Sequence, residues 1–384
     1  MRVTKAFMSF FESEKAGGLI LLLCTAFSLV ISNTSFSESY FAIWHHPIAN
    51  HSFEHWINDG LMAIFFLMIG LELEREVYKG ELSKFKDAIL PISGALGGML
   101  FPALIFLLFN FGTETQSGIG IPMATDIAFA LGVLSLVGNK VPNSLKVFLT
   151  ALAVIDDLGA IIVIALFYTK TLYFVNLVIS LSIFAGLLVL NRMKVNNLWI
   201  YLVAGVFMWY FMLNSGVHAT ITGVLLAFAI PFQDGSEKTI SYKLQHFLHK
   251  PVVFIILPLF ALCNTAIVIG SDWLHNFTAD YSMGIIFGLI IGKPLGIIVF
   301  SYLAILIGLA KLPKELSMKK LLGAGFLGGI GFTMSIFISL LAFDNAAIIN
   351  NAKFMILVAS LLSGCMISFK SSKSIIQPQS LQLY

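Results

Sequence analysis

A chain of 384 residues in which 58% are hydrophobic and only 11% carry charge cannot clothe itself in the polar surface that a soluble protein of this size needs. Its formal net charge of +3 is too small to suggest a nucleic-acid surface, and no nucleic-acid partner is expected. A mean hydropathy of +0.92, with 35 Phe and 31 Gly, fits a protein that crosses a bilayer many times.

A spanning helix needs about 20 mostly apolar residues. In chain order that window predicts helices near 12–32, 58–80, 88–110, 115–137, 145–168, 172–190, 198–213, 216–231, 247–270, 283–308, 321–343 and 353–370, twelve in all, with the pair over 198–231 the shortest. The first apolar run follows "FFESEK" without a small-residue cleavage site, so it reads as a retained helix. The connection 33–57 carries four histidines and no Lys or Arg. Its histidine spacing matches no standard ligand set, so a surface loop or short hairpin is expected rather than a metal site. Cys24, Cys263 and Cys365 lie far apart inside apolar runs and read as packing residues. One integral membrane domain over 1–384 is expected, with a polar tail at 371–384.

An even helix count puts both termini on one side. With the N-terminus cytoplasmic, twenty basic residues fall inside, from Arg2 to Lys373, against Lys170 and Lys353 outside, while Lys293 lies within a helix. The excess of positive charge on cytoplasmic loops supports both count and orientation.

Against this background a few charges stand out. An ionised side chain at a helix centre costs roughly 2.5–3.5 kcal/mol even on the gentler insertion scales. The central set is Asp126, Asp156, Asp157 and Lys293; Asp59 and Glu72 sit nearer the ends of helix 58–80. These groups could merely pair to hold the bundle together. Three carboxylates against one lysine nevertheless leave a surplus of negative charge, which must take a proton or a cation. In "ALAVIDDLGAI" the two aspartates are adjacent, and neighbours on an α-helix diverge by about 100°. One can face an ion pathway while the other reaches a second helix.

Two segments carry helix breakers at membrane depth. "SGIGIPMATDIAFALG" contains Gly118, Gly120 and Pro122 and then Thr125 and Asp126, suited to an N-cap. "GAGFLGGIGFTMSIF" does the same with glycines alone. Close helix packing would account for the glycines by themselves. Each segment, however, is the second member of a three-helix set, 88–168 and 283–370, which points to an inverted-topology repeat with the two interrupted helices crossed. Asp126 would then balance the positive ends of the half-helices and Lys293 the negative ends.

Together, "PMATDIAFALGVL", "ALAVIDDLGAI", "NSGVHATITGVLLAF", "LPLFALCNTA", "GKPLGI" and "GAGFLGGIGFTMSIFI" closely resemble the NhaA family of bacterial sodium/proton antiporters over essentially the whole chain. That resemblance implies an electrogenic exchanger of the cell inner membrane, taking up more H+ than the Na+ (or Li+) it exports. It implies Asp157 as the ion-binding carboxylate, Asp156 as its neighbour paired with Lys293, and Thr125 and Asp126 at the crossing. His218 occupies a position tied to pH response, and Asp59, Glu72, Arg75 and Glu76 match the family's second helix. A pH-sensing cluster of Glu76, His246 and His249 is expected to lack one acid, because Gln245 stands where the family pattern has glutamate; for His218, a hydrogen-bonded packing role stands beside the sensing one. A homodimer through 33–57 is implied by analogy. No cofactor is expected: the partners are Na+, Li+, H+ and the lipid bilayer.

The expected mechanism is competition, in which Asp157 holds either a proton or a dehydrated Na+ but not both. The rival reading is a sodium-coupled symporter of an organic solute. An intramembrane aspartyl enzyme would need its two carboxylates on facing helices, not side by side.

Overall fold

The computed structural model describes residues 5–136, 142–169, 171–270 and 273–374. Arg2, Lys140, Lys170 and most of the expected tail, 375–384, lie outside the described residues.

In lipid the backbone must satisfy its own hydrogen bonds, so long apolar runs become helices. In chain order these are α1 (Lys5–Ser32), α2 (Ser37–His45), α3 (Phe53–Tyr78), α4 (Phe85–Asn110), α5 (Ile127–Leu136), α6 (Asn143–Phe167), α7 (Phe174–Arg192), α8 (Leu198–Leu213), α9 (Ile221–Ala229), α10 (Ile240–Asn264), α11 (Trp273–Phe277), α12 (Asp280–Leu306), α13 (Met318–Gly328), α14 (Phe332–Ala342) and α15 (Ala346–Ser374). Between α2 and α3, β1 (Pro47–Ile48) pairs antiparallel with β2 (His51–Ser52).

Eight helices among the described residues are long and apolar enough to cross a membrane, and ten if each of two bent pairs is one span. The two remaining expected helices come out short. The stretch 198–213 is the 16-residue α8, while 216–231 contracts to the nine-residue α9. The reason is local: Gly216 adopts φ +86° and the Ser215 hydroxyl accepts from the Val217 N–H, so "NSGVHAT" turns instead of coiling. Connection 33–57 combines a short helix with the expected hairpin.

The bent pairs are α1 with α2, at 117°, and α13 with α14, at 48° about Gly329–Gly331. A third irregularity precedes α5. Residues Gln116–Met123 wind as tight 3-10 turns, and Ala124 is extended before α5 begins. Three helices also carry a π-turn, at Trp56–Leu61 in α3, Val252–Ile256 in α10 and Gly288–Gly292 in α12. Such bulges spoil regular packing and recur at functional sites.

The helices fall into two groups by contact. One comprises α4, α6, α12, α13, α14, α15 and the 3-10 segment; the other α3, α7, α8, α9 and α10, with α1 touching both α5 and α10. In the first group α4 and α12 meet so closely at Gly97 and Gly296 that a methyl on either would collide with the other's carbonyl.

Candidate functional site

The site is built where α6 and α12 meet the two helix interruptions. Asp156 and Asp157 lie mid-way along α6, 0% and 2% exposed. The angular divergence of adjacent residues turns only Asp156 towards α12. Its Oδ2 lies 2.8 Å from Lys293 Nζ, with both side chains wholly buried. Lys293 follows directly on the Gly288–Gly292 π-turn, and its ammonium also donates to the Met123 carbonyl, the last residue of the 3-10 segment. Thr125 completes the set: its hydroxyl lies 2.8 Å from Asp156 Oδ2 and 2.9 Å from the Gly328 carbonyl that ends α13. One hydroxyl proton serves one of these acceptors at a time.

Asp126 serves two helix starts at once. Its Oδ1 accepts the Phe129 N–H of α5 at 2.9 Å, an ordinary N-cap. Its Oδ2 accepts the Thr333 N–H of α14 at 3.0 Å and the Thr333 hydroxyl at 2.5 Å, while the Asp126 N–H donates to the Ile330 carbonyl at 2.7 Å. The Ser335 hydroxyl donates to the Ile121 carbonyl at 2.7 Å, a further link between the segments. Asp126, expected at the positive ends, thus accepts from the first turns of both α5 and α14. Lys293, expected at the negative ends, reaches the Met123 carbonyl directly, while the Thr125 hydroxyl lies on the Gly328 carbonyl.

Asp157 differs from its neighbour. Its Oδ1 is buried and meets no hydrogen-bond donor among the described residues. Asp156 Oδ1 is likewise unmet. Thus two carboxylate oxygens face inward without a donor, beside an ammonium already occupied. A cavity of about 1100 Å³ reaches towards them from one end of the bundle, between α6 and the chain around Glu76–Lys84 and Lys311–Leu316. It extends to Thr150 and Ala151 on α6, and Asp156 lies five residues beyond Ala151, about 7.5 Å along the helix. Five lysines and four carboxylates line it. Among them, Glu81 is pushed above the usual carboxyl range by burial, with repulsion from Asp87 and Glu76 adding to it.

Of the remaining sequence-predicted residues, Glu72 lies within electrostatic reach of Asp157, and the others lie farther from this core. Asp59 sits in the α3 π-turn, 3.3 Å from His55 Nδ1, and its carbonyl accepts the Trp209 indole N–H at 3.1 Å. Glu72 is half-buried on α3. Glu76 Oε2 accepts the Glu81 N–H at 3.1 Å, and Arg75 stacks over the Tyr242 ring at 5.2 Å. Tyr242 is in turn parallel to His246, which is exposed, whereas His249 is half-buried. Glu76, His246 and His249 are thus near neighbours of one membrane face, with no direct bond between them among the described residues. His218 Nε2 lies 3.0 Å from the Tyr168 carbonyl, and the Tyr168 hydroxyl accepts the Gly120 N–H at 3.2 Å, which ties His218 to the 3-10 segment through one residue.

Sequence reasoning missed Thr333, whose signal was the "GFT" at the start of α14. It also misplaced Lys353. That residue is not an outer flanking charge: α15 begins at Ala346, so Lys353 lies two turns inside it, 5% exposed, with Nζ 3.3 Å from Asn264 Oδ1. Asn264 and its partner Asn58 went unnoticed because neutral amides do not stand out in a charge search. Among the described residues no group of three or more His, Cys, Asp or Glu could hold a resident metal ion.

A family model described as "Na+/H+ antiporter 1" matches residues 8–369. The chain is 66% identical over 364 residues to a protein named Na+/H+ antiporter NhaA from Flavobacterium psychrophilum, covering 95% of each. It is 65% identical to Na+/H+ antiporter NhaA 1 from Flavobacterium johnsoniae, covering 95% of this chain and 96% of that one. Identity to the NhaA of Dechloromonas aromatica is 59%, over 94% of each. Among solved structures, the sodium proton antiporter MjNhaP1 from Methanocaldococcus jannaschii shares the fold, with a TM-score of 0.56 at 17% identity over 97% of this chain and 99% of that one.

Proposed function

The chain belongs to the Na+/H+ antiporter 1 family, and on that premise we propose that it exchanges Na+ or Li+ for a larger number of protons at one competitive site centred on Asp157. The observation that carries this reading is the contrast on α6, where a buried carboxylate oxygen of Asp157 has no donor while Asp156 is held by Lys293 and Thr125. A carboxylate shut away from water requires a neutralising partner. A proton and a dehydrated cation are the two candidates, and each excludes the other. Alternating exposure of such a site to the two faces produces exchange with no cofactor. Unequal numbers of charges then make the exchange electrogenic.

The hydrogen bonds between Asp126 and α14 and between Thr125 and α13 support two interrupted helices that cross within inverted repeats of 88–168 and 283–370, in a twelve-helix bundle. The lysine distribution supports cytoplasmic termini in a bacterial inner membrane. On that orientation the 1100 Å³ cavity opens to the cytoplasm. His218, through Tyr168, and the Glu76–His246–His249 neighbourhood at the cavity end are the candidate routes of pH response, with Asp59, Glu72 and Arg75 accessory. The β1–β2 hairpin is the proposed homodimer contact. Loss of dimer in detergent after deletion of 46–52, with transport retained, checks that point.

The deciding experiment is Na+-driven ΔpH in proteoliposomes that contain no organic solute. Exchange that collapses a pre-set ΔpH and speeds up with membrane potential is expected. Na+ flux only in the presence of an organic solute would instead establish the symporter.

A further inference from the structure

Lys353 belongs to none of the groups above, yet it is an ammonium buried at membrane depth that makes no ion pair within 4 Å among the described residues, the Glu54 carboxylate acting on it only from farther off. Among the described residues the ammonium's one hydrogen bond, at 3.3 Å, is to Asn264 Oδ1 at the end of α10. Asn264 is itself anchored. Its Nδ2 donates to Asn58 Oδ1 at 2.8 Å and to the Phe260 carbonyl at 3.1 Å, and Asn58 lies in the π-turn of α3. The three residues therefore come from helices of both packing groups, α15 on one side and α3 and α10 on the other.

A second storey repeats the arrangement with aromatic rings. Phe337 of α14 contacts Phe66 of α3 at 5.4 Å between centroids and Phe260 of α10 at 6.3 Å, all three wholly buried. Phe260 is one turn from Asn264 on α10, and Phe66 is two turns from Asn58 on α3. At the other end of the molecule, in contrast, the charged cavity stands open.

We propose that Lys353, Asn264 and Asn58 form a latch across the two helix groups, which closes the outer end of the ion path while the inner end is open and must part before Na+ can leave. The latch closes the path twice. Its hydrogen bonds hold α15 to α10, and its ammonium repels any cation in low-dielectric surroundings. Moving α15 away with its own group opens the gap and withdraws the charge together. Lys353 is a positioning residue here: it touches no transported ion. The inference rests on the exchange function and orientation proposed above.

Cys263, beside Asn264 and 5% exposed, reports on the latch. In protein with Cys24→Ser and Cys365→Ser, a membrane-impermeant maleimide is applied to each face of oriented proteoliposomes. Lys353→Met should raise outer-face labelling of Cys263 roughly tenfold, the size expected for losing one charged hydrogen bond. Lys353→Arg should restore the parental rate. Asn264→Asp, which offers Lys353 a carboxylate, should lower labelling below the parental rate and slow Na+-driven exchange. Parental labelling in Lys353→Met, with or without a lower melting temperature, would overturn the latch, as would unchanged labelling and exchange in Asn264→Asp. Increased labelling from the opposite face alone would keep the latch and overturn the orientation. Absence of Na+/H+ exchange in the parental protein, with the labelling pattern intact, would strike the function and leave the latch standing.

Discussion

Asp156 and Asp157 are consecutive, both buried and chemically identical, and each has one oxygen that no donor among the described residues reaches, yet only Asp156 has a lysine and a threonine on its other oxygen. Helix geometry alone separates them: a turn of about 100° sends one to α12 and leaves its neighbour unclaimed. On the proposed reading, partner number and not burial divides a carboxylate that holds the bundle from one free to trade its counter-ion.

The hardest test of that division is Asp157→Asn. The amide has neither a full charge nor a titratable proton, so exchange should fall to the level of empty liposomes. Melting should stay near that of the parent, because no hydrogen bond of Asp157 Oδ1 is lost. Near-normal Na+ affinity and turnover would erase the distinction.

The converse variant is Lys293→Ala, which strands Asp156. Removing one member of a buried pair commonly costs about 3–5 kcal/mol. A marked drop in melting temperature is expected, smaller for Lys293→Arg, where the charge survives with altered geometry. Adding Asp156→Asn to Lys293→Ala should recover part of the loss, which a double-mutant cycle measures. Wild-type melting of Lys293→Ala would show that the pair has no structural share.

Asp126 extends the comparison to a carboxylate with every oxygen occupied. Asp126→Ala leaves the Phe129 N–H and both Thr333 donors without an acceptor, at about 1–3 kcal/mol for each buried group. Asp126→Asn should lose less, since one carbonyl oxygen remains. Equal melting of the two variants would mean that the double cap contributes nothing.

The smallest effect is expected at Glu81, a carboxyl in the wall of the open cavity. Its carboxyl is raised in the folded protein, so the folded state binds the proton more tightly than the unfolded chain does. The resulting destabilisation is absent below the unfolded value and grows as pH rises through the folded one. Glu81→Gln should therefore melt slightly higher than the parent at pH 8 and equally at pH 4, an effect kept small by solvent screening. The opposite pH trend would contradict the cause assigned to the shift.

How much of this could be read in advance depended on contrast. Asp126, Asp156, Asp157 and Lys293 were legible because each interrupts an apolar run. The interruptions were legible because Pro122 and the glycine cluster stand in corresponding places of two three-helix sets; composition alone does not mark a break, since Pro91 and Pro102 lie inside α4. Which aspartate meets Lys293 was not: spacing says that neighbours diverge and leaves open which way α6 is rotated. The family resemblance supplied that choice. Lys353 was misread for a related reason. A lysine seven residues from a helix start looks like a flanking charge until the start itself, at Ala346 rather than 353, is known. The length of α9 depended on the left-handed turn at Gly216, which hydropathy cannot register.

The contact at Gly97 and Gly296 bears on mechanics. With the backbones of α4 and α12 pressed together, neither helix can slip along the other without its carbonyls colliding. The two form a stiff girder, and Lys293, one turn from Gly296, is riveted to it. On the proposed mechanism, a displacement that carries the site across the membrane must move the girder whole, with shear confined to the sparser contacts between the two groups, at α3 with α6 and α10 with α14. Gly97→Ala would pry the girder apart and so slow the proposed exchange, although residue 97 lies outside the proposed ion-binding group.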